Sequence, residues 1–375
     1  MCARRLVLIG AGHAHLHLVR AADQLRAAGL DVTLIAPRRF QYSGLATGVL
    51  SGALAAEEAD IDVATLTAAF GVRHIPRPVT AIDREARVLT LAGSATEPFD
   101  LLSLNIGSVA ADSHGLAAHP DVWPVKPLVN LFALRARIET EVASSGSSPR
   151  IVIAGGGQSA LEIAASLCGL IERAGLNPDV TVIAPDFGTS LPTRARNRLL
   201  ASLRARGVVF LRDRVTAREP GACRRADGGD RPCDYLVLAT GLTAPPLIAD
   251  LGLPVGQAGR LQVTATLQSV GDPAIFAAGD CAVIRAHPRP AVGVFGVRAA
   301  PVLLNNLAAL GRGRPLRSYQ PQKRWLSIMD LGDGRGLAIR GGVWSLGRIA
   351  LRLKRYLDLG FVRRMRADPV PRKET

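Results

Sequence analysis

Two glycine turns are the residues in this sequence best suited to chemistry. Residues 6–12 read LVLIGAG and residues 151–157 read IVIAGGG. Each ends a β-branched run, and each is followed by a long Ala/Leu-rich stretch and a second apolar run, DVTLIAP at 31–37 and DVTVIAP at 179–185. Strand, tight turn, helix and strand make a βαβ unit, so the pattern predicts two of them. Backbone freedom at Gly10 and Gly155 permits the turn, and the missing side chains at Gly12 and Gly157 let a pyrophosphate approach the backbone. The phosphates then meet free N–H groups and the positive end of the helix dipole. One such turn is a weak signal; two in matching context are a strong one for dinucleotide sites. Two ordinary doubly wound units with tight turns remain the alternative on these residues alone.

Both copies depart from the full pattern. His15 stands at the third glycine position of the first copy and Ala160 at that of the second. His15 there either loosens helix–strand packing or brings an imidazole toward the phosphates. Neither second strand ends in the usual ribose-binding carboxylate: Pro37 and Arg38 follow one, Pro185 the other, with Asp186 next in sequence. Arg194 and Arg196 lie close by and suit a 2′-phosphate, which leaves NADH and NADPH both open. Two further strand endings, LVLATG (236–241) and IFAAGD (275–280), run into small residues. The second would bring Asp280 toward a ribityl or pyrophosphate group.

The elements that must hold these turns are supplied by 375 residues, 48% of them hydrophobic. That is enough for two to three domains and excludes disorder as the main state. The net charge of +15 suggests a polyanionic partner, but 42 of the 46 basic residues are arginines spread along the whole chain and aromatics make up only 4%. Nucleic-acid binding is therefore not expected. Five cysteines, Cys2, Cys168, Cys223, Cys233 and Cys281, include no CxxC or zinc spacing, which points to a reducing, cytoplasmic setting. The start of the chain does not read as an export signal, and no stretch reads as a bilayer span.

In order, GxG (10–12), GxGxxA (155–160), ATG (239–241) and AAGD (278–280) resemble the pyridine nucleotide-disulfide oxidoreductase superfamily of FAD enzymes. Finer segments, among them GAGHAHLHLVR (10–20), YSGLATGVLSG (42–52), LLSLNIGS (101–108), PVKP (124–127) and RPAVGVFGVRAAPVLLNNL (289–307), resemble the branch often fused to selenophosphate synthetase (selenide, water dikinase). That branch is also similar to type II NADH dehydrogenases. The resemblance implies an α/β fold with two Rossmann-like dinucleotide-binding domains of three-layer ββα type, one inserted in the other. FAD would occupy a discontinuous domain, 1–110 with 265–315, NAD(P)H the domain 111–264, and residues 316–375 would form a small α+β module. Implied FAD contacts are Gly10, Gly12, His13, Ala14, Pro37, Arg38, Tyr42, Gly107, Gly279, Asp280, Gly293 and Val294. Implied NAD(P)H contacts are Gly155, Gly157, Gln158, Ser159, Asp186 and Gly241. No metal is implied. The chemistry would be hydride transfer from NAD(P)H to flavin, then electron transfer to a non-thiol acceptor, foremost a quinone. Supply of reduced selenium or sulfur species is a second reading, and a flavin-binding partner protein with little turnover a third.

Cysteine usage separates these branches, because a disulfide reductase needs a thiol pair beside the flavin and this chain has Tyr42-Ser43-Gly44 after its first βαβ unit. Lys126 is the only lysine in the first 322 residues, and Glu162 lies on the helix after Gly157. The expectation is that these two pair beside the flavin, the lysine stabilising its reduced form. Gly44, Gly48 and Gly52 would let a short helix approach either the flavin or a neighbouring element. The start of a helix from Gly293 to about Leu310 would aim its N–H dipole at the flavin. Strands are expected at 325–329 and 336–340, then an amphipathic helix over 345–359 with Leu346, Ile349, Ala350, Leu353, Tyr356 and Leu357 on one face and Arg348, Arg352 and Arg355 opposite. From Ser345 onward the charge is +6. Such a helix suits an anionic membrane, which would place the protein peripherally on the inner face of the plasma membrane. It suits equally an internal core contact or a homodimer surface.

Overall fold

The computed structural model describes residues 3–366. Its centre is a pair of five-stranded parallel sheets built to one plan. In the first, the strands run in the order Ile275–Ala277, Leu101–Leu104, Arg4–Ile9, Leu30–Ile35, Arg73–Ile75. In the second, the order is Val122–Pro124, Tyr235–Leu238, Arg150–Ala154, Asp179–Ile183, Val209–Leu211. The strand before each glycine turn is central in both, as a doubly wound unit requires. Leu6 to Ile9 and Ile151 to Ala154 are buried on both faces, which explains why they read as unbroken apolar runs rather than alternating ones. Each sheet is accompanied by a three-stranded antiparallel meander, Val79–Asp83, Val88–Leu91 and Thr96–Pro98 in the first unit, Val215–Glu219, Ala222–Arg225 and Asp230–Pro232 in the second.

The glycine turns behave as the sequence demands. Gly10 takes φ +87° and Gly155 φ +130°, and a Cβ at either would strike backbone of the neighbouring strand end, Asn105 or Ala239. The helices His13–Arg20 and Gln158–Arg173 follow directly. The first packs against Gly293–Gly311. By length and composition that last helix could cross a bilayer, which corrects the sequence expectation of no such stretch, but Ala299, Leu303 and Leu307 are buried in the core of the first unit.

His15 does not loosen the packing. Its ring is wholly buried, with Nδ1 2.7 Å from the Gly10 carbonyl and Nε2 2.8 Å from Ser103 Oγ. The carbonyl can only accept, so Nδ1 carries the proton and Nε2 accepts from the hydroxyl. The imidazole thus fills the space where a third glycine would allow close approach and ties the turn to the neighbouring strand.

A second side chain completes that tie. Asn105, 4% exposed at the end of the Leu101–Leu104 strand, accepts at Oδ1 from the backbone N–H of Ala14 (3.0 Å) and of His15 (3.4 Å), and donates from Nδ2 to the Ala278 carbonyl (2.6 Å). One amide caps the first-turn helix and holds the ends of two strands together. Its own backbone N–H donates to Ile9 and its carbonyl accepts from Gly12.

The C-terminal module holds three antiparallel strands, Leu326–Asp330, Gly336–Arg340 and Val343–Gly347, and a helix Arg348–Arg366. The expected helix over 345–359 is corrected: Ser345 to Gly347 complete the sheet, and the helix begins later and runs on to Arg366. Residues 367–375, with their part of the basic charge, lie outside the described residues.

Burial pushes the His15 pKa down from 6.5 to about 4, against the Gly10 carbonyl, which raises it. The unfolded chain therefore binds an extra proton between those values, so this contribution to stability is complete above pH 6.5 and falls as pH drops toward 4, by about 3 kcal/mol. Denaturant titrations across pH 4–7 should show that slope together with a like share from His13, and His15→Gln should reduce it without abolishing it. Asn105→Leu should lower stability by roughly 1–3 kcal/mol, because the Ala14 N–H is left buried without a partner and the Ala278 carbonyl keeps only the weak Cys281 thiol donor at 3.4 Å. A variant as stable as the parent would show that the amide clamp has no structural weight.

Candidate functional site

The predicted FAD residues gather at the carboxyl ends of the first sheet, where the strands ending at Ile9, Leu104 and Ala277 lie side by side. Gly10 and Gly12 form the turn, His13 and Ala14 open the helix, Gly107 follows the Leu101–Leu104 strand, and Gly279 and Asp280 follow Ile275–Ala277. Pro37 and Arg38 follow the Leu30–Ile35 strand. Ser108 Oγ donates to Asp280 Oδ2 at 3.3 Å. A cavity lies beside Gly279 and Asp280, with Val292 and Phe295 in its wall. Gly293, at the start of its helix, faces the His13 ring.

Whether these residues fit a dinucleotide can be judged from the space above the turns. A Cβ placed at Gly107 or Gly157 would meet no protein atom within 4 Å, so both backbones face room for a ligand. At Gly12 a Cβ would collide with the Asn105 side chain, so its smallness is required by the protein itself. Helix start, bare turn and open space together fit the phosphates of FAD in the first unit and of NAD(P)H in the second. In the second unit Gln158 and Ser159 open the helix, Gln158 Nε2 donates to Ser190 Oγ at 3.3 Å, and Gly241 has φ +118° with open space beside it. Asp186 lies beyond the Asp179–Ile183 strand, 3.7 Å from Arg212.

Lys126 and Glu162 are not brought together as a pair. The carboxylate that acts on Lys126 is Asp280, and burial, the larger influence, lowers the lysine pKa. Burial and then the Lys126 ammonium push His13 down to about 4. Glu162 instead faces Lys354, from the C-terminal helix. Its Oε1 accepts from Thr47 Oγ1 (2.9 Å) and from the Asp330 N–H (2.8 Å), and burial raises its pKa while Lys354 and these bonds oppose the rise. Burial by itself would lower Lys354, but Glu162, Asp358 and Asp330 outweigh it and keep the ammonium charged.

The same helix continues the cluster. Lys354 Nζ donates to the Gly44 carbonyl (2.6 Å) and to Asp358 Oδ2 (3.0 Å), and Tyr42 Oη donates to Asp358 Oδ1 (3.0 Å). Phe361 stacks on Tyr42 with centroids 4.8 Å apart and also meets the His13 ring. Gly44 therefore packs against Tyr42 and Asp358, Gly48 against Leu54, and Gly52 beside Leu170 and Arg173. Of the two readings of these glycines, close packing against protein is the one seen. Lys354, Asp358 and Asn105 are the residues that sequence reasoning passed over. A lone lysine amid arginines was the available signal for the first, and a polar residue closing a buried strand for the last.

The face assignment of the C-terminal helix also needs correction. Ala350, Leu351, Lys354, Asp358, Phe361, Val362 and Met365 turn inward. Ile349 (80% exposed), Tyr356 (77%), Leu353 and Leu357 point outward, beside Arg348, Arg352 and Arg363. The four described cysteines are all buried. Burial pushes Cys168 and Cys281 up to about 12, so neither offers a ready thiolate, whereas the hydrogen bond from Cys233 lowers the Cys223 thiol, in the second unit.

Comparisons with known proteins agree with this geometry. The sequence profile described as pyridine nucleotide-disulphide oxidoreductase matches residues 4–300. The chain is similar to the demethylphylloquinone reductase NdbB of Synechocystis, 26% identical over 383 residues, covering 94% of this chain and 92% of the relative. Among solved structures it is similar to the sulfide:quinone oxidoreductase of Aquifex aeolicus (TM-score 0.79, 18% identity, 99% and 93% covered). It is similar also to NDH2 of Plasmodium falciparum in complex with NADH (TM-score 0.79, 13% identity, 97% of each chain).

Replacing Lys354 by Met should leave Glu162 and Asp358 without their cation. Glu162 is then expected to protonate at higher pH still, and the melting temperature to fall more at pH 8 than at pH 5, where Glu162 is neutral more often. Equal losses at the two pH values would count against the ion cluster.

Proposed function

We propose that this chain, which belongs to the pyridine nucleotide-disulphide oxidoreductase family, passes electrons from NAD(P)H to a quinone at a membrane surface. It is an FAD-dependent NAD(P)H oxidoreductase; the acceptor and the membrane are the proposed parts. FAD supplies hydride acceptance from nicotinamide and onward electron transfer. The chain's own residues do the rest. The two glycine turns hold the phosphates, and Lys126, with Asp280 beside it, places a buried cation near the flavin, where it favours negative charge on the reduced ring.

The observation that carries the quinone reading is the double use of the Arg348–Arg366 helix. Its inner face closes over Tyr42 to Thr47 with the Glu162–Lys354–Asp358 cluster, where a dithiol enzyme would need cysteines. Its outer face presents Ile349, Leu353, Tyr356 and Leu357 beside arginines. Quinone reduction to quinol consumes two protons, and a buried carboxyl with a raised pKa, steadied by Thr47 and the Asp330 N–H, can hold and hand on one of them. The apolar stripe suits the acyl region and the arginines suit anionic headgroups, so the helix would seat the protein on the inner face of the plasma membrane beside a lipid-soluble acceptor. The similar proteins named for quinone substrates support the same reading. Nothing among the described residues favours selenium or sulfur supply over it.

Anaerobic mixing of the purified yellow protein with NADH and NADPH should bleach the flavin with at least one of them, and a quinone should then restore the colour. Glu162→Gln should slow the restoring step by about tenfold or more while bleaching slows less. Colour restored by selenite and by no quinone would overturn the acceptor. The protein should also sediment with vesicles containing anionic lipid, and Ile349→Glu with Tyr356→Glu should abolish this; unchanged sedimentation would exclude the stripe as the membrane face.

A further inference from the structure

The nucleotide unit carries more positive charge at its adenosine end than a dinucleotide with a free 2′-hydroxyl would use. A groove of about 370 Å³ runs between the Thr193–Arg204 helix and the Val209–Leu211 strand. Arg196, Arg204, Arg212 and Asp186 line it over Phe187 and Phe210, whose rings meet edge to face at 5.0 Å. The groove starts against the glycine turn. Asp186 lies so close over Gly156 that a Cβ there would strike its carbonyl, and the Gly188 N–H donates to the Gly156 carbonyl at 2.7 Å. A pyrophosphate on Gly155 to Gly157 therefore leaves its adenosine ribose at the end of the Asp179–Ile183 strand, at the mouth of this groove.

The charges there are unevenly matched. A ribose 2′-hydroxyl is held by a carboxylate free to accept its hydrogen bond. Asp186 is the carboxylate in the groove, and Arg212 stands 3.7 Å from it. Arg196 and Arg204 make no ion pair among the described residues, and Arg204 lies over the Phe210 ring at 5.1 Å. Arg196 and Arg204 sit two turns apart on one face of their helix, so both look into the same groove. A guanidinium matches phosphate oxygens with paired N–H donors.

We propose that Arg196 and Arg204, with Arg212, seat the 2′-phosphate of NADPH, so that this chain takes NADPH in preference to NADH. This rests on the reading of the chain as an NAD(P)H oxidoreductase and names which donor that site selects. Asp186 tempers the selection, because it competes for Arg212.

The test separates the groove from the reaction. Titration calorimetry on the FAD-loaded protein should show adenosine 2′,5′-bisphosphate binding about tenfold or more tighter than adenosine 5′-monophosphate, with the gap narrowing in high salt. Arg196→Gln with Arg204→Gln should lose about that factor for the bisphosphate and leave the monophosphate unchanged, and Arg196→Lys with Arg204→Lys should recover part of it. These side chains are exposed or half-buried, and an unchanged melting temperature would show that the variants are folded. Equal binding of the two adenosine phosphates, or a glutamine variant that keeps the preference, would overturn the proposal. In anaerobic mixing, faster bleaching by NADH than by NADPH would also overturn it while leaving the oxidoreductase reading intact. Bleaching by neither would overturn that reading, and the calorimetry would still judge the groove.

Discussion

One buried amide ties the first glycine turn to two strand ends of its sheet. Asn105 takes two N–H groups at the start of the His13–Arg20 helix and gives a hydrogen to the strand end at Ala278. Parallel strands are joined by long crossovers, and Ile275–Ala277 arrives only after the entire second unit has been built. Nothing local brings that strand end beside the first glycine turn. The parallel ladder with Leu101–Leu104 carries it there, and a buried side chain with both donor and acceptor ties its end to the turn, at a cost if left unpaired that makes the arrangement specific. His15 reinforces it by linking Gly10 to Ser103, which is why a third glycine is dispensable here.

The second organising contact is electrostatic. Lys354 and Asp358 reach from the C-terminal helix to Tyr42, Gly44 and the surroundings of Glu162, which belongs to the second unit. Three parts of the chain that are distant in sequence thereby meet around one ammonium. Burial would discharge Lys354 or Glu162 alone, and their mutual compensation keeps the lysine charged while it leaves Glu162 with a raised pKa. Packing supplies the rest, through Phe361 on Tyr42 and His13.

The duplicated plan was legible from particular residues. Leu6 to Gly12 and Ile151 to Gly157 announce a buried central strand and its turn, because a strand covered on both faces must be apolar throughout and the turn needs positive φ. Periodicity left the C-terminal helix's faces undecided and misplaced its arginines, of which Arg348 and Arg352 lie beside the apolar stripe and not opposite it. Ile349, Leu353, Tyr356 and Leu357 have the spacing of a core-facing stripe, yet they face outward while the narrower set around Leu351, Lys354 and Phe361 faces in. A moment along the sequence says that a helix has two faces, not which one the protein keeps.

The sequence by itself determined the two βαβ units, the glycine turns, the absence of a thiol pair after the first unit and the polar residues worth testing. These follow from local geometry and side-chain type, which neighbouring residues express without help. Tertiary structure decided the partners. Lys126 went to Asp280 and Glu162 to Lys354, Gly12 proved small to admit Asn105, and Asp186 met Arg212 at the mouth of an arginine-lined groove. Charges and hydrogen bonds act over a few ångströms in space, so which groups come within that range depends on how the two sheets and the last helix pack, and no spacing along the chain encodes it.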